Sequence, residues 1–343
     1  MSKKKSAYAE SGVDIDEMMT GLQSIKRMVR NTRGPGALGD IGSFGGLFQS
    51  PGRDQALVAS TDSVGTKVKV AFLSDRHDTV GQDIVNHCVN DILVQGAQPL
   101  FFLDYLGTSH LHTPVFKDLV KGLCKACRQN GCTLLGGETA EMPGLYPEGE
   151  YDLVGTIVGA VSKRRIVTGE SIRPGDRIIG LPSNGLHTNG YTLARRVLLE
   201  KSGLSVHDLF PGSKQSVGDV LLKVHRSYLH PVQALLEKVQ VRGMAHITGG
   251  GLIDNIPRIL PDSAQAVIDC STWRVPPVFS TIGERGGVDP DEMFRVFNMG
   301  IGYVVIVRAA DRDAAMQVLR DAHARPVEIG SIETGKRGVT LCR

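Results

Sequence analysis

Asp91-Ile-Leu-Val-Gln-Gly96-Ala97-Gln98-Pro99 closes a segment in which Asp83, His87 and Asp91 recur every four residues. That spacing predicts a helix with the three polar side chains along one face. Ile84, Cys88 and Ile92 form the adjacent apolar row. One side of the helix is therefore expected to pack while another offers a polar stripe. Gly96 falls where a left-handed cap ends a helix, and Pro99 blocks a restart. Upstream, the strand-like run 56–61 ends at Asp62, and Gly65 and Lys67 follow within one turn. A carboxylate at a strand end and another on a helix face are hard oxygen donors of the kind Mg²⁺ takes, with water and phosphate completing its shell. Spacing alone leaves a second reading open, in which Asp62 makes an Asx-turn and Asp91 is a solvated helix position.

Elements on either side extend this pattern. Ile15, Met18, Met19, Leu22, Ile25 and Met28 keep a helical apolar stripe to about Val29, opened by an Asp14–Glu17 capping box. Strands are expected at 56–61, 100–103, 132–135 and 151–161, and a helix over 114–130. Composition shifts at Ser171-Ile172-Arg173-Pro174-Gly175-Asp176, which places an N-terminal domain over 1–170 and a C-terminal domain over 171–343. The second half predicts strands at 177–181, 264–269, 301–308 and 326–332, and one ahead of the glycine run at 249–251. Its helices are expected over 192–201, 217–238, 252–260 and 311–323. Strands and helices in mixed order predict an α+β fold of two α/β-layer domains. A length of 343 residues exceeds what one hydrophobic core usually serves, which fits two.

Composition excludes several classes. The net charge of +3 gives no basic footprint for nucleic acid, so Lys3-Lys4-Lys5 and Lys163-Arg164-Arg165 read as solvated faces. No apolar run reaches the roughly 18 residues of a membrane span, and the lysine-rich start lacks the apolar segment of a signal peptide. A cytoplasmic protein is expected. Six cysteines fit a reducing compartment. Cys124, Cys127 and Cys132 lack a further ligand pair at zinc spacing, and Leu119, Val120, Leu123 and Ala126 make an amphipathic helix in which the thiols pack.

Four further segments carry candidate chemistry. Gly39-Asp40-Ile41-Gly42-Ser43-Phe44-Gly45-Gly46 lets backbone N–H groups wrap a polyphosphate, although it lacks the Gly-Lys-Ser/Thr of a P-loop and also fits a plain surface loop. Gly136-Gly137-Glu138 puts a carboxylate beside flexible backbone at an expected sheet end, or simply makes a turn. Pro182-Ser183-Asn184-Gly185-Leu186-His187-Thr188-Asn189-Gly190 and His246-Ile247-Thr248-Gly249-Gly250-Gly251 each lead from a strand into a helix. Exposed N–H groups there suit an anion, while a tight structural turn is the alternative. Isolated histidines such as His77 and His225 are expected to be packed or solvated.

Asp91-x4-Gly96-Ala97-x-Pro99 resembles the signature of an ATP-using superfamily that includes selenophosphate synthetase, thiamine-monophosphate kinase and formylglycinamide ribonucleotide amidotransferase. Cys88-Val89-Asn90-Asp91, Gly96 through Tyr105, Gly136 through Gly144, Ala245 through Gly251 and Phe297-Asn298-Met299-Gly300 narrow the resemblance to the phosphoribosylformylglycinamidine cyclo-ligases, or aminoimidazole ribonucleotide synthetases. Selenophosphate synthetase carries a reactive Cys near its start, whereas no Cys precedes Cys88 here. The resemblance implies an ATP-dependent ring closure in purine biosynthesis, with first-domain sheets of two subunits closing a central barrel in a homodimer. It implies ATP and Mg²⁺, leaves a K⁺ requirement open, and admits transient contact with neighbouring purine-pathway enzymes. Asp62 and Asp91 would ligate Mg²⁺. Lys26 would steady the phosphates, with Gly42, Gly45, Gly46, Lys67 and Asn90 around the nucleotide. His246, then His187, would contact the formyl oxygen or move a proton, and Glu138, Asn189, Thr248, Gly249, Gly250 and Gly251 would hold the small-molecule substrate. Asp40 and Ser63 stand where the family usually has glycine.

Overall fold

Alternating burial along β1 (Gln55–Ser63) and β4 (Tyr151–Ser162) marks a sheet with one covered and one open face. These coordinates, a computed structural model, describe residues 24–35 and 52–343. The Asp14–Glu17 cap and the 39–46 glycine loop, with Gly42, Gly45 and Gly46, lie outside the described residues.

The first sheet runs β1-β4-β2-β3, with β2 at Gln98–Thr108 and β3 at Thr133–Glu141. β4 is antiparallel to both β1 and β2, and β2 is parallel to β3. After a short α1 (Val68–Ser74), α2 (Val80–Leu93) and α3 (Thr113–Gln129) pack together on the covered face. Glycines set their approach: a Cβ on Gly81 would lie 2.3 Å from Leu119 O, and one on Gly122 would lie 2.5 Å from Asp78 O. Gly96 closes α2 at φ 81°, its N–H on Leu93 O. The three cysteines of the α3 region are buried free thiols.

The second sheet runs β10-β7-β9-β5-β8-β6, built from β5 (Arg177–Pro182), β6 (Val241–His246), β7 (Ala264–Asp269), β8 (Ile301–Val307), β9 (Val327–Thr334) and β10 (Gly338–Cys342). All of its pairs are antiparallel except β10 with β7. Every residue of β8 is buried, as its unbroken apolar run requires. Around the sheet lie α4 (Tyr191–Arg195), α5 (Val217–Leu221), α6 (Leu229–Lys238), α7 (Gly251–Asn255), α8 (Pro277–Gly286), α9 (Pro290–Val296) and α10 (Arg312–Asp321). The expected α+β class, two layered domains with mixed sheets, is what the chain adopts.

Several expectations need correction. β3 continues through Gly136-Gly137-Glu138, because its parallel partner β2 supplies a ladder past the expected turn. The expected 252–260 helix is five residues of α7 followed by a 3₁₀ turn, and 192–201 is α4 followed by a π-helical turn. The helix expected over 217–238 breaks between α5 and α6, where residues 222–228 form a loop. α8, α9 and β10 were not expected at all.

The break at 222–228 explains the largest discrepancy. Backbone groups of that loop bond to side chains of α2 instead of to one another. His225 N donates to Asp83 Oδ1 at 2.6 Å, Asn86 donates to His225 O at 2.7 Å, and Asn90 links Arg226 O to Tyr228 N at 2.8 and 2.9 Å. The polar stripe of α2 is consequently a buried seam between the two domains. Asp83 and Asn90 are fully buried.

Candidate active site

At one end of that seam Asp62 and Asp91 come together. β1 carries Asp62 and the last turn of α2 carries Asp91; His87, one turn earlier, reaches both. Its Nε2 is 2.9 Å from Asp62 Oδ2 and 3.6 Å from Asp91 Oδ2, and its Nδ1 is 2.6 Å from the Thr188 hydroxyl. His246, at the end of β6, brings its Nδ1 to 2.7 Å from Asp91 Oδ1, and Ser60 donates to Asp91 Oδ2 at 3.2 Å. Asp62 is 40% exposed and Asp91 26%, so both carboxylates can meet a ligand, whereas His87 and His246 are buried behind them.

Electrostatics follow from this arrangement. Burial pushes both carboxyls up, but His87 on Asp62 and His246 on Asp91 outweigh it and hold both below the ordinary carboxylate range. Burial pulls His87 down, yet the two aspartates raise it above an ordinary imidazole. For His246, burial prevails over Asp91 and lowers it. Two further imidazoles complete a cluster: His225 Nε2 lies 3.1 Å from His246 Nε2, and His187 stacks on His225 at 4.0 Å. Burial keeps both of these well below the ordinary value, and therefore neutral.

Asp62, His87, Asp91, His246 and Thr248 line a cleft of about 470 Å³. Its far wall carries Asn255 and the exposed guanidinium of Arg258. Asn255 holds the glycine turn in place, donating to Gly251 O at 2.8 Å and to Gly249 O at 3.2 Å. Gly250 and Gly251 take φ of 98° and 58°, and a Cβ on Gly251 would lie 1.9 Å from Phe294 O. The Gly190 turn packs in the same way against Phe297. Asn298 ties that loop down, accepting from Ser183 at 2.8 Å and donating to Gly185 O at 2.9 Å. Both glycine turns therefore answer a close-packing demand, and each is followed by an α-helix of only five residues, too short for much dipole.

Other expected site residues lie elsewhere. Lys67 is a correction. It is fully buried, its ammonium paired with Asp83 at 2.8 Å and donating to His187 O and Lys223 O at 3.1 and 2.8 Å, so none of it faces a nucleotide. Asn90 has its amide consumed by the 226–228 backbone. His187 is enclosed at φ 65° with no hydrogen-bond partner on either ring nitrogen, and it does not line the Asp62–Asp91 cleft. Asn189 is half-buried with its Oδ1 beside Gly249 and does not line the cleft. Glu138 is exposed on edge strand β3, and Lys26 is exposed on a helical stretch over 24–30. His87, Asn255 and Arg258 were missed. His87 lay on the quoted helix face, but its importance depends on Asp62 and Thr188, both distant in sequence. His77 and His225 are packed as expected; His77 Nδ1 meets the Tyr151 hydroxyl at 2.9 Å.

Comparison with known proteins gives the family and the fold. Two family models, for the N- and C-terminal domains of AIR synthase related proteins, match residues 45–161 and 173–342. A phosphoribosylformylglycinamidine cyclo-ligase of Trichlorobacter lovleyi is 47% identical over 343 residues, covering 99% of this chain and 98% of its own. One from Geotalea daltonii is 49% identical, covering 97% and 96%. Among solved structures, a thiamine-monophosphate kinase from Stenotrophomonas maltophilia superposes with a TM-score of 0.69 at 18% identity, over 93% of this chain and 95% of that one. A hydrogenase maturation protein in complex with ATP does so at 0.67 and 19%, over 93% and 90%. These two likenesses carry the fold.

Proposed function

The chain belongs to the AIR synthase related family, among its phosphoribosylformylglycinamidine cyclo-ligases, and we propose that the Asp62–Asp91 cleft is where it carries out its reaction. The enzyme converts formylglycinamidine ribonucleotide and ATP to aminoimidazole ribonucleotide, ADP and phosphate in de novo purine biosynthesis. The observation that supports the site is the convergence of two partly exposed carboxylates, from different elements, at the mouth of one cleft.

The chemical difficulty is the formyl oxygen, a poor leaving group. Phosphorylating it makes it leave as phosphate when the amidine nitrogen closes the ring, and that nitrogen then loses a proton. Both reacting groups sit on one substrate, so holding it folded supplies much of the acceleration. Two carboxylates with hard, partly solvated oxygens fit Mg²⁺. When bound there, Mg²⁺ would neutralise phosphate charge as the γ-phosphoryl group transfers. Asp62 and Asp91 would hold the ion, His87 bonds to both carboxylates, and His246 holds Asp91 by its other oxygen. Both nitrogens of His246 are engaged, Nδ1 with Asp91 and Nε2 with His225, so it reaches substrate only by exchanging a partner. Arg258 and Thr248 supply a cation and a hydroxyl for substrate phosphate. Lys26 and Glu138 remain candidates for nucleotide and substrate contact from outside this cleft.

A homodimer through the open face of the first sheet belongs to the same reading. Leu57 is 62% exposed there, beside Ala59 and Thr61. Among the described residues no helix is long and apolar enough to cross a membrane. We place the enzyme in the cytoplasm. A coupled assay following ADP and aminoimidazole ribonucleotide together tests the function. Equal formation of both, dependent on formylglycinamidine ribonucleotide, is expected; ADP formed without the imidazole would refute it.

A further inference from the structure

His246 is held at both ends of its ring. Nδ1 lies 2.7 Å from Asp91 Oδ1, and Nε2 lies 3.1 Å from His225 Nε2. An ionised carboxylate only accepts, so the Nδ1 end donates to Asp91. The two Nε2 atoms then share one proton between them. His225 is thus the partner that commits the second nitrogen of His246, yet it does not itself line the cleft.

The surroundings of His225 fix where that ring stands. The residue is fully buried, and both of its backbone polar groups are tied to α2: N–H donates to Asp83 Oδ1 at 2.6 Å, and C=O accepts from Asn86 at 2.7 Å. The Thr188 hydroxyl is 3.4 Å from its Nδ1 and 2.6 Å from Nδ1 of His87. Asn90 Nδ2 packs 3.2 Å from its Nε2. A chain of polar contacts therefore runs from Asp62 through His87, Thr188, His225 and His246 to Asp91. His187 supplies a flat wall, its ring stacked on His225 at 4.0 Å and 20°. That wall is costly, because His187 is buried with neither ring nitrogen hydrogen-bonded and its backbone sits at φ 65°.

We infer that His225 is a positioning residue for the ring closure: it holds His246, and through it Asp91, in the orientation the reaction uses. The inference rests on the reading of the Asp62–Asp91 cleft as the reaction site. An apolar side chain at this position would fill the space but leave Nε2 of His246 without its partner. Because His225 acts through His246 and meets no substrate, its loss belongs in kcat and not in KM.

Steady-state kinetics on the full-length enzyme, following ADP and aminoimidazole ribonucleotide together, tests it. His225→Leu should lower kcat by about 10- to 100-fold while KM for both substrates stays within about 3-fold. His225→Gln, whose amide reaches the Nε2 position, should return kcat to within about 3-fold of wild type. Wild-type kcat in His225→Leu, a loss confined to KM, or a His225→Gln variant as slow as His225→Leu overturns the inference and leaves the carboxylate site standing. Wild-type turnover in Asp91→Asn overturns the reading beneath it instead. Should His225→Leu fail to fold, NMR of wild type carrying isotopically labelled histidine decides. A scalar correlation between Nε2 of His225 and Nε2 of His246, through the shared proton, is expected, and its absence overturns the inference.

Discussion

At Asp91 a single carboxylate meets Ser60, His87 and His246, so its geometry is fixed before any ligand arrives. Asp91→Asn should keep the fold and lower ADP-coupled product formation by about 10²–10³-fold in a steady-state assay; wild-type turnover would remove it from the reaction. Lys67 and Asp83 make the opposite case, an ion pair sealed in the seam. Lys67→Met should cost about 3–5 kcal/mol in denaturant unfolding, and adding Asp83→Asn should recover part of that, because the first change alone strands a buried charge. Asp104 supplies the pH test. Its carboxyl lies against the Gly137 backbone, and burial pushes it up to about 7. A folded value above the unfolded one means that the stabilisation is complete below about pH 4 and is lost as pH rises through about 7. Asp104→Asn should flatten the melting-temperature profile across that window; an unchanged profile would contradict the burial argument. Asp62, Asp91, His246 and Thr248 were legible at this scale, because each sits in a local motif. His87 was not, since it gains its role only from Asp62, distant in sequence, and from Thr188 across the domain seam.

Among the elements, α2 decides most. Its apolar row and Gly96 cap were readable from period and glycine placement alone. Its polar row looked like a solvent face because sequence period reports which residues share a side, not what covers that side. The loop at 222–228 covers it, and the same tertiary bonding breaks a helix that local propensity would have continued. α2 also needs Gly81 and Gly122 at its crossing with α3. Gly122→Ala would set a Cβ 2.5 Å from Asp78 O and should cost about 1–3 kcal/mol by thermal or denaturant unfolding. A neutral effect would mean that the helices can separate without loss.

For the molecule as a whole, layered domains with mixed sheets followed from alternating strand and helix patterns. The ladder that extends β3, and the strand β10 beside β7, depend on pairing between distant segments and left little local trace. The open face of the first sheet is the surface where a second copy is proposed. Leu57→Asp should give monomers in sedimentation velocity at concentrations where wild type is dimeric; an unaffected dimer would place the interface elsewhere. The central claim is that β1 and α2 of the first domain bring Asp62 and Asp91 together, beside His246 of the second, to face a metal-bound triphosphate. A crystal grown with Mn²⁺ and a non-hydrolysable ATP analogue tests this most directly, through the anomalous signal of the metal. An ion within about 2.0–2.6 Å of an Asp62 or Asp91 oxygen, with phosphates beside it, is the predicted result. Metal and nucleotide bound together away from both side chains would contradict it.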